Sequence, residues 1–279
     1  MHEAKQIQIG TLQIGAGSPL FMIAGPCVIE NEAHARMMAE RLAEIAAAAR
    51  VPLIFKVSFD KANRTSLSSY RGPGMKDGLA ILGRIKRDLG VLVLTDIHEP
   101  AQAAPVGEVC DVIQIPAFLS RQTDLLLAAA RTGRVINLKK GQFLSPWDMA
   151  HAVEKVASVG NDKVILTERG ASFGYQNLVV DMRSIPIMKK TGCPVVLDVT
   201  HAVQLPGAAG NASGGQPEFI EPLARAGVAA GADGVFLEVH DAPERALSDG
   251  SNALQLDRLP ALLAKLAPLA ALVRTLGQT

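Results

Sequence analysis

The chain has 279 residues, 48% of them hydrophobic and 20% charged, with a formal net charge of +1. That much apolar material buries a sizeable core, and so even a charge balance gives no reason to expect nucleic acid or an anionic membrane as a partner. Any anion-binding surface must therefore be local.

At the N-terminus, Met1-His2-Glu3-Ala4-Lys5 runs into alternating residues instead of an apolar stretch, so no signal peptide is expected. No apolar run approaches the roughly 18 residues of a membrane span. Residues 6–9 and 12–15 alternate around Gly10-Thr11 and predict a small hairpin within residues 1–18. From Leu20 onward apolar runs recur at 20–24, 51–55, 91–94, 112–115, 135–138, 164–166, 195–198 and 234–237. Helical periodicity falls between most of them, at 32–49, 78–88, 121–131, 147–158 and 218–230, with a last helix at 257–274 and a short one near 100–106. Strands alternating with helices imply parallel βαβ units, and eight of them imply a closed (β/α)8 TIM barrel. A doubly wound open sheet is the alternative, but no G-x-G-x-x-G opens the first helix. Without a linker or a change in composition, residues 1–279 read as one barrel domain. Cys27, Cys110 and Cys193 are far apart and unpatterned, which argues against disulfides and makes the cytoplasm the expected compartment.

In this fold the active site lies at the C-terminal ends of the strands. The eight runs end, in order, on Cys27; Lys56 and Lys61; Asp96, His98 and Glu99; Gln114 just inside its run; Lys139 and Lys140; Glu168 and Arg169; Asp198 and His201; and Glu238 and His240. Two chemistries separate. Lys56, Lys61, Arg64, Lys139 and Arg169 are cations suited to phosphate and carboxylate groups, and Lys61 to Ser66 add hydroxyl and amide donors. The competing reading has some of them in structural ion pairs with Asp96, Glu99 or Glu168, and the 61–66 loop as a solvated surface loop. Cys27, His201 and Glu238 end neighbouring strands, and Asp249 comes later on the same rim. Thiolate, imidazole and carboxylate together suit Zn²⁺, Fe²⁺ or Mn²⁺. Taken singly, Cys27 also reads as a small buried apolar group and His201 as a structural residue, with His98 and His240 competing as ligands. Cys110 and Cys193 precede strands and lie at the wrong end. The glycine-rich segment 204–215 exceeds an ordinary βα connection and reads as a closing lid or a disordered loop.

With AGPCVIE (24–30), KANRTS (61–66), TDIHEP (95–100), QIPAFLSRQTDLL (114–126), NLKKGQF (137–143), ERGASFGYQNLVVDMR (168–183), DVTHAVQLPG (198–207) and SDG (248–250), the chain closely resembles the 3-deoxy-D-manno-octulosonate 8-phosphate synthases. The K-A-N-R-[ST]-S segment separates that family from the related heptulosonate 7-phosphate synthases, which resemble K-P-R-T-S there. The resemblance implies condensation of phosphoenolpyruvate with D-arabinose 5-phosphate. It implies that Lys56, Lys61, Gln114, Lys139 and Arg169 hold phosphoenolpyruvate. It places Asn63, Arg64 and Thr65 on the sugar phosphate, Asp96 near the sugar hydroxyls, and Arg121 at the sugar phosphate of a neighbouring subunit in a homotetramer. Cys27, His201, Glu238 and Asp249 match the ligands of the metal-dependent branch, whose metal-independent counterpart has Asn at the Cys27 position. Lys61, Lys139, His201 and Asp249 are assigned as catalytic. Ser251 departs from the Pro of many relatives and puts the conformation beside Asp249 in question. Two other classes remain open: an imine-forming aldolase using Lys139 or Lys140, and a non-catalytic sugar-phosphate binding module.

Overall fold

The barrel strands each change character along their length, and that change positions everything else. They are β1 (Phe21–Gly25), β2 (Leu53–Lys56), β3 (Leu92–Asp96), β4 (Val112–Ile115), β5 (Val135–Lys139), β6 (Val164–Glu168), β7 (Val195–Asp198) and β8 (Gly234–His240). Residues two apart share a face. Inward apolar groups, Ile23, Ile54, Leu94, Val112, Val135, Ile165, Val196 and Phe236, form one buried cluster inside the barrel. Two residues further along each strand stand Gly25, Lys56, Asp96, Gln114, Asn137, Thr167, Asp198 and Glu238. The intervening residues, such as Met22, Phe55, Val93, Ile113 and Leu197, join the larger core under the helices.

The structure, a computed structural model, describes residues 3–63, 66–207 and 214–276. The strands pair in parallel in the order β7-β6-β5-β4-β3-β2-β1-β8, and β7 pairs with β8 to close the ring. Around it run α1 (Glu32–Ala49), α2 (Met75–Leu89), α3 (Ala103–Val109), α4 (Thr123–Arg131), α5 (Met149–Ala157), α6 (Ser184–Lys189), α7 (Ile220–Ala229) and α8 (Leu259–Leu276). This is the expected (β/α)8 barrel. The hairpin Gln6–Ile9 with Leu12–Gly15 also forms, and its Ile7, Ile9 and Ile14 join the interior cluster, plugging the end opposite the polar layer.

Helix α6 lies between the sixth and seventh strands, where the sequence shows no helical period. Its six residues are too few to show one, and Pro186 sits in the first turn, where no intrahelical donor is needed. Helix α8 with its preceding turn, Leu256–Leu276, is the one segment among the described residues long and apolar enough to cross a membrane, by length and composition only. The sequence alone predicts no such run. Its Leu259, Leu262, Leu263, Leu266 and Ala270 are buried in the barrel core, and its Lys265 pairs with Glu221 of α7 at 2.7 Å. Packing in the outer layer accounts for that apolar stripe.

Candidate active site

The polar layer opens into a cavity of about 930 Å³ lined by Lys56, Lys61, Asn63, Asp96, Gln114, Lys139, Arg169, His201, Glu238 and Asp249 among others. Gly25 lets the ends of β1 and β2 meet, since a Cβ there would lie 1.9 Å from the Lys56 carbonyl oxygen. That close approach brings the Cys27 turn over Lys56, whose Nζ donates to Cys27 O at 3.2 Å and to Glu238 Oε1 at 2.8 Å. Beyond β2 the chain folds back on a paired Arg71–Asp60, and Lys61 N–H donates to Arg71 O at 2.8 Å. Lys61 is thereby held over the cavity.

Opposite charges organise the floor. Lys139 Nζ lies 2.5 Å from Asp198 Oδ2 and 3.8 Å from the centre of the Phe236 ring. Burial pushes the Lys139 ammonium down, and Asp198 works against that shift. Asp198 also receives the backbone and hydroxyl of Thr200, the backbone of His201, and His201 Nδ1 at 2.7 Å. Although burial opposes it, the hydrogen bond from His201 and the charge of Lys139 hold the Asp198 carboxyl well below its usual range. Asp96 behaves alike. Burial raises it, but its bond to His98 and the charge of Lys61 hold it well below, and Ser58 Oγ donates to it as well. Burial alone would lower Lys61; the carboxylates of Asp96, Glu238 and Asp249 facing it reverse the shift and keep the ammonium charged. Arg169, lowered by burial, donates to Gln204 Oε1 at 3.0 Å, and its Nη1 has no partner among the described residues. Gln114 Oε1 accepts from Asn137, whose Oδ1 accepts from Thr167.

The thiol, imidazole and carboxylates expected to hold a metal converge here. Cys27 Sγ is 3.1 Å from Asp249 Oδ2, and His201 Nε2 is 3.7 Å from Glu238 Oε1 and 3.9 Å from Asp249 Oδ2. Donors bound at about 2.0–2.3 Å to one tetrahedral ion stand at about such separations. Glu238 Oε2 is buried without a partner among the described residues. Burial, reinforced by Asp249, pushes the Cys27 thiol up to about 12. Burial also lowers His201, which leaves it neutral, and Asp198 takes up its Nδ1 so that Nε2 faces the other donors. These residues fit a divalent transition ion. His98 does not join them, since its Nε2 is 3.1 Å from Asp96. His240 lies with Glu30 instead, at 3.2 Å.

Not every expected residue is brought in. Arg64 and Thr65 lie outside the described residues, as does the centre of the 204–215 segment. The ends of that segment, Gln204–Leu205 and Gly214–Gly215, form a short antiparallel ribbon. Arg121 lines a separate depression of about 300 Å³ with Asp148, His151 and Lys155. Lys140 faces outward, buried against Glu168 at 3.4 Å and the carbonyls of Gly141, Leu144 and Gly170. Glu168 in turn accepts from the backbone of Arg169 and Gly170. Among the cations for which ion pairing competes, Lys56 pairs with Glu238 and Lys139 with Asp198, while Lys140, outside that set, pairs with Glu168. Lys140→Met leaves Glu168 buried without its cation and is expected to cost about 3–5 kcal/mol in denaturant unfolding. Wild-type stability with lost turnover would return Lys140 to the active site. Asp249 sits at φ +51° before a 3-10 turn, Gly250–Asn252, which contains Ser251. A Cβ on Gly250 would meet Pro243 O at 2.0 Å, so the turn packs tightly without a proline.

Sequence reasoning missed Gln142, Gln204, Ser248 and Arg258 on the cavity wall. Gln142 and Gln204 lie inside the NLKKGQF and DVTHAVQLPG motifs and were legible there. Arg258 precedes the last helix, far from any strand end, and carried no signal.

A family model described as DAHP synthetase I family matches residues 3–274. The chain is 62% identical over 270 residues to the 2-dehydro-3-deoxyphosphooctonate aldolase of Geotalea daltonii, covering 97% of this chain and 99% of that protein. It is 61% identical to the protein of that name from Pelobacter propionicus and 58% identical to that from Geobacter sulfurreducens, with the same coverage. With the barrel, the cavity and a match along nearly its whole length, the chain belongs to the DAHP synthetase I family.

Proposed function

We propose that this protein condenses phosphoenolpyruvate with D-arabinose 5-phosphate and water. The products are 3-deoxy-D-manno-octulosonate 8-phosphate and inorganic phosphate, and the sugar acid serves lipopolysaccharide synthesis. The observation that carries this reading is one cavity holding Lys56, Lys61, Lys139 and Arg169 beside Asn63, Asp96 and Gln114. Its relatives' shared name supports it. Two mutually repelling anions need such a cationic surface to be positioned together.

In this mechanism Lys56, Lys61, Gln114, Lys139 and Arg169 hold the phosphate and carboxylate of phosphoenolpyruvate. Asn63, Arg64 and Thr65 hold the sugar phosphate, and Asp96 orients the sugar hydroxyls. The enol carbon C3 forms a bond to the aldehyde carbon, and positive charge develops at C2. Water adds at C2 and gives up a proton to Asp249, phosphate leaves by C–O cleavage as the C2 oxygen becomes the ketone, and the aldehyde oxygen ends as a hydroxyl. Cys27, His201, Glu238 and Asp249 would hold a Zn²⁺, Fe²⁺ or Mn²⁺ ion, which supplies Lewis acidity towards the aldehyde oxygen or the water. The assembly is a cytoplasmic homotetramer in which Arg121 reaches a neighbour's sugar phosphate. The exposed Phe118 on the cavity wall, the exposed Phe143 and Trp147 in the segment after β5, and Arg121's position outside its own cavity support that arrangement.

The deciding experiment is phosphate release from phosphoenolpyruvate with a panel of aldose phosphates. Arabinose 5-phosphate is expected to exceed erythrose 4-phosphate in kcat/KM by about 10²-fold or more, because the polar groups that bind the longer chain are left unpaired by the shorter one. Equal kcat/KM with the four-carbon sugar would sink the assignment.

A further inference from the structure

On the same rim but outside the catalytic cavity, the turn before α1, the first turn of α1 and the end of β8 bring Glu30, His34, His240 and Asp241 together. One ligand atom from each of Glu30, His34 and His240 lies within 4.8 Å of the others. The two imidazoles are 4.7 Å apart between centroids, tilted by 35°. The side chains of Glu30, His34 and His240 are only 15%, 12% and 7% exposed. Asp241 Oδ1 lies 3.0 Å from His34 Nε2 and 3.1 Å from His240 Nδ1, and His240 Nδ1 accepts the Ala242 backbone N–H at 3.0 Å. The other two nitrogens remain. His240 Nε2 is 3.2 Å from Glu30 Oε1, and His34 Nδ1 is buried with no hydrogen-bond partner among the described residues. His34, with Nε2 on a carboxylate and Nδ1 left without a partner among the described residues, is arranged as a metal-binding histidine is, and His240 takes the same arrangement when its proton moves from Nε2 to Nδ1, beside Asp241.

We propose that Glu30, His34 and His240 form a second divalent-cation site, with Asp241 as the outer carboxylate. Two imidazoles and a carboxylate select a transition ion such as Zn²⁺, Co²⁺ or Ni²⁺ over Mg²⁺ or Ca²⁺. Ligand atoms on one tetrahedral ion stand about 3.4 Å apart, so closing from 4.8 Å takes side-chain shifts of under about 1 Å each. The two carboxylates balance a 2+ charge. Ion pairing alone explains the contacts to Glu30 and Asp241 but leaves His34 Nδ1 buried and unused. The site shares no residue with the Cys27 set. Glu30 Oε1 also accepts Leu247 N–H at 2.8 Å, so an ion here fastens the segment leading to Ser248 and Asp249 against the turn after Cys27.

The test is a Co²⁺ titration of the full-length, metal-stripped protein, because cobalt reports its ligands. The Cys27 set gives a thiolate-to-cobalt band in the near ultraviolet, whereas the histidine site gives only weak visible bands. Wild type is expected to bind two equivalents. His34→Gln should bind one and keep the thiolate band; Cys27→Ala should bind one and lack it. Glu30→Gln should match His34→Gln, which guards against a folding defect in either variant. One equivalent in wild type without the thiolate band, lost in His34→Gln, would keep this site and remove the metal from the catalytic one. Equal stoichiometry in wild type, His34→Gln and Glu30→Gln would overturn the proposal.

Discussion

Lys139→Met is expected to lower kcat/KM by about 10³-fold, with the folded protein intact. Lys139 Nζ sits at the centre of the floor, 2.5 Å from Asp198 and over the Phe236 ring. A preorganised cation facing charge that builds up in the transition state contributes about 10²–10³ in rate. Removing Lys139 also leaves Asp198 buried with less compensation, which sets a negative charge where the substrate's anion must lie. Lys139→Arg keeps the charge but not the shape, and is expected to retain measurable activity above the methionine variant.

The same residue decides between positioning and imine chemistry. Burial lowers Lys139, which is the direction an imine-forming lysine needs. Against this stands Asp198, which holds the proton on Nζ at a short separation and also secures His201. An amine engaged in this way is not free to attack a carbonyl. Borohydride added with either substrate is therefore expected to trap no adduct by mass spectrometry, and a substrate-dependent adduct at Lys139 would move the protein to the aldolase class.

The barrel was legible because its strands are bounded by strong punctuation and its helices, apart from the short α3 and α6, are long enough to show a period. The site was legible for a related reason. Period-two alternation places Lys56, Asp96, Gln114, Asp198 and Glu238 on the inner face, two residues beyond an apolar neighbour in each strand. The same parity sends Lys140 and Glu168 outward, a distinction that reading strand ends without register did not make. What sequence could not supply was distance. Asp198 as the shared partner of Lys139 and His201, and the meeting of His34 with His240, arise from strand closure and helix placement. Neither leaves a mark in local spacing.

Cys27 offers the sharpest measurement. With its thiol raised to about 12 by burial and Asp249, Cys27 carries its proton at neutral pH before any ion binds. Metal binding must then expel that proton, since the ligand is the thiolate. His201 is already neutral there, because burial lowers it, and adds no proton of its own. Affinity for Zn²⁺ at the catalytic set is expected to rise about tenfold per pH unit through the neutral range, one proton leaving per ion. His34→Gln is the background in which to measure it, so that only this set is filled. Adding Cys27→Asn should flatten that slope and weaken binding by about two orders of magnitude or more, because an amide replaces an anionic ligand. Chelator should silence the wild type, with recovery on Zn²⁺, Fe²⁺ or Mn²⁺, while any activity left in Cys27→Asn should ignore it. If Cys27 were only a packing residue, Cys27→Ala would bind zinc as the wild type does, with the same pH slope. Competition titrations at three pH values on these variants separate the two outcomes without relying on turnover.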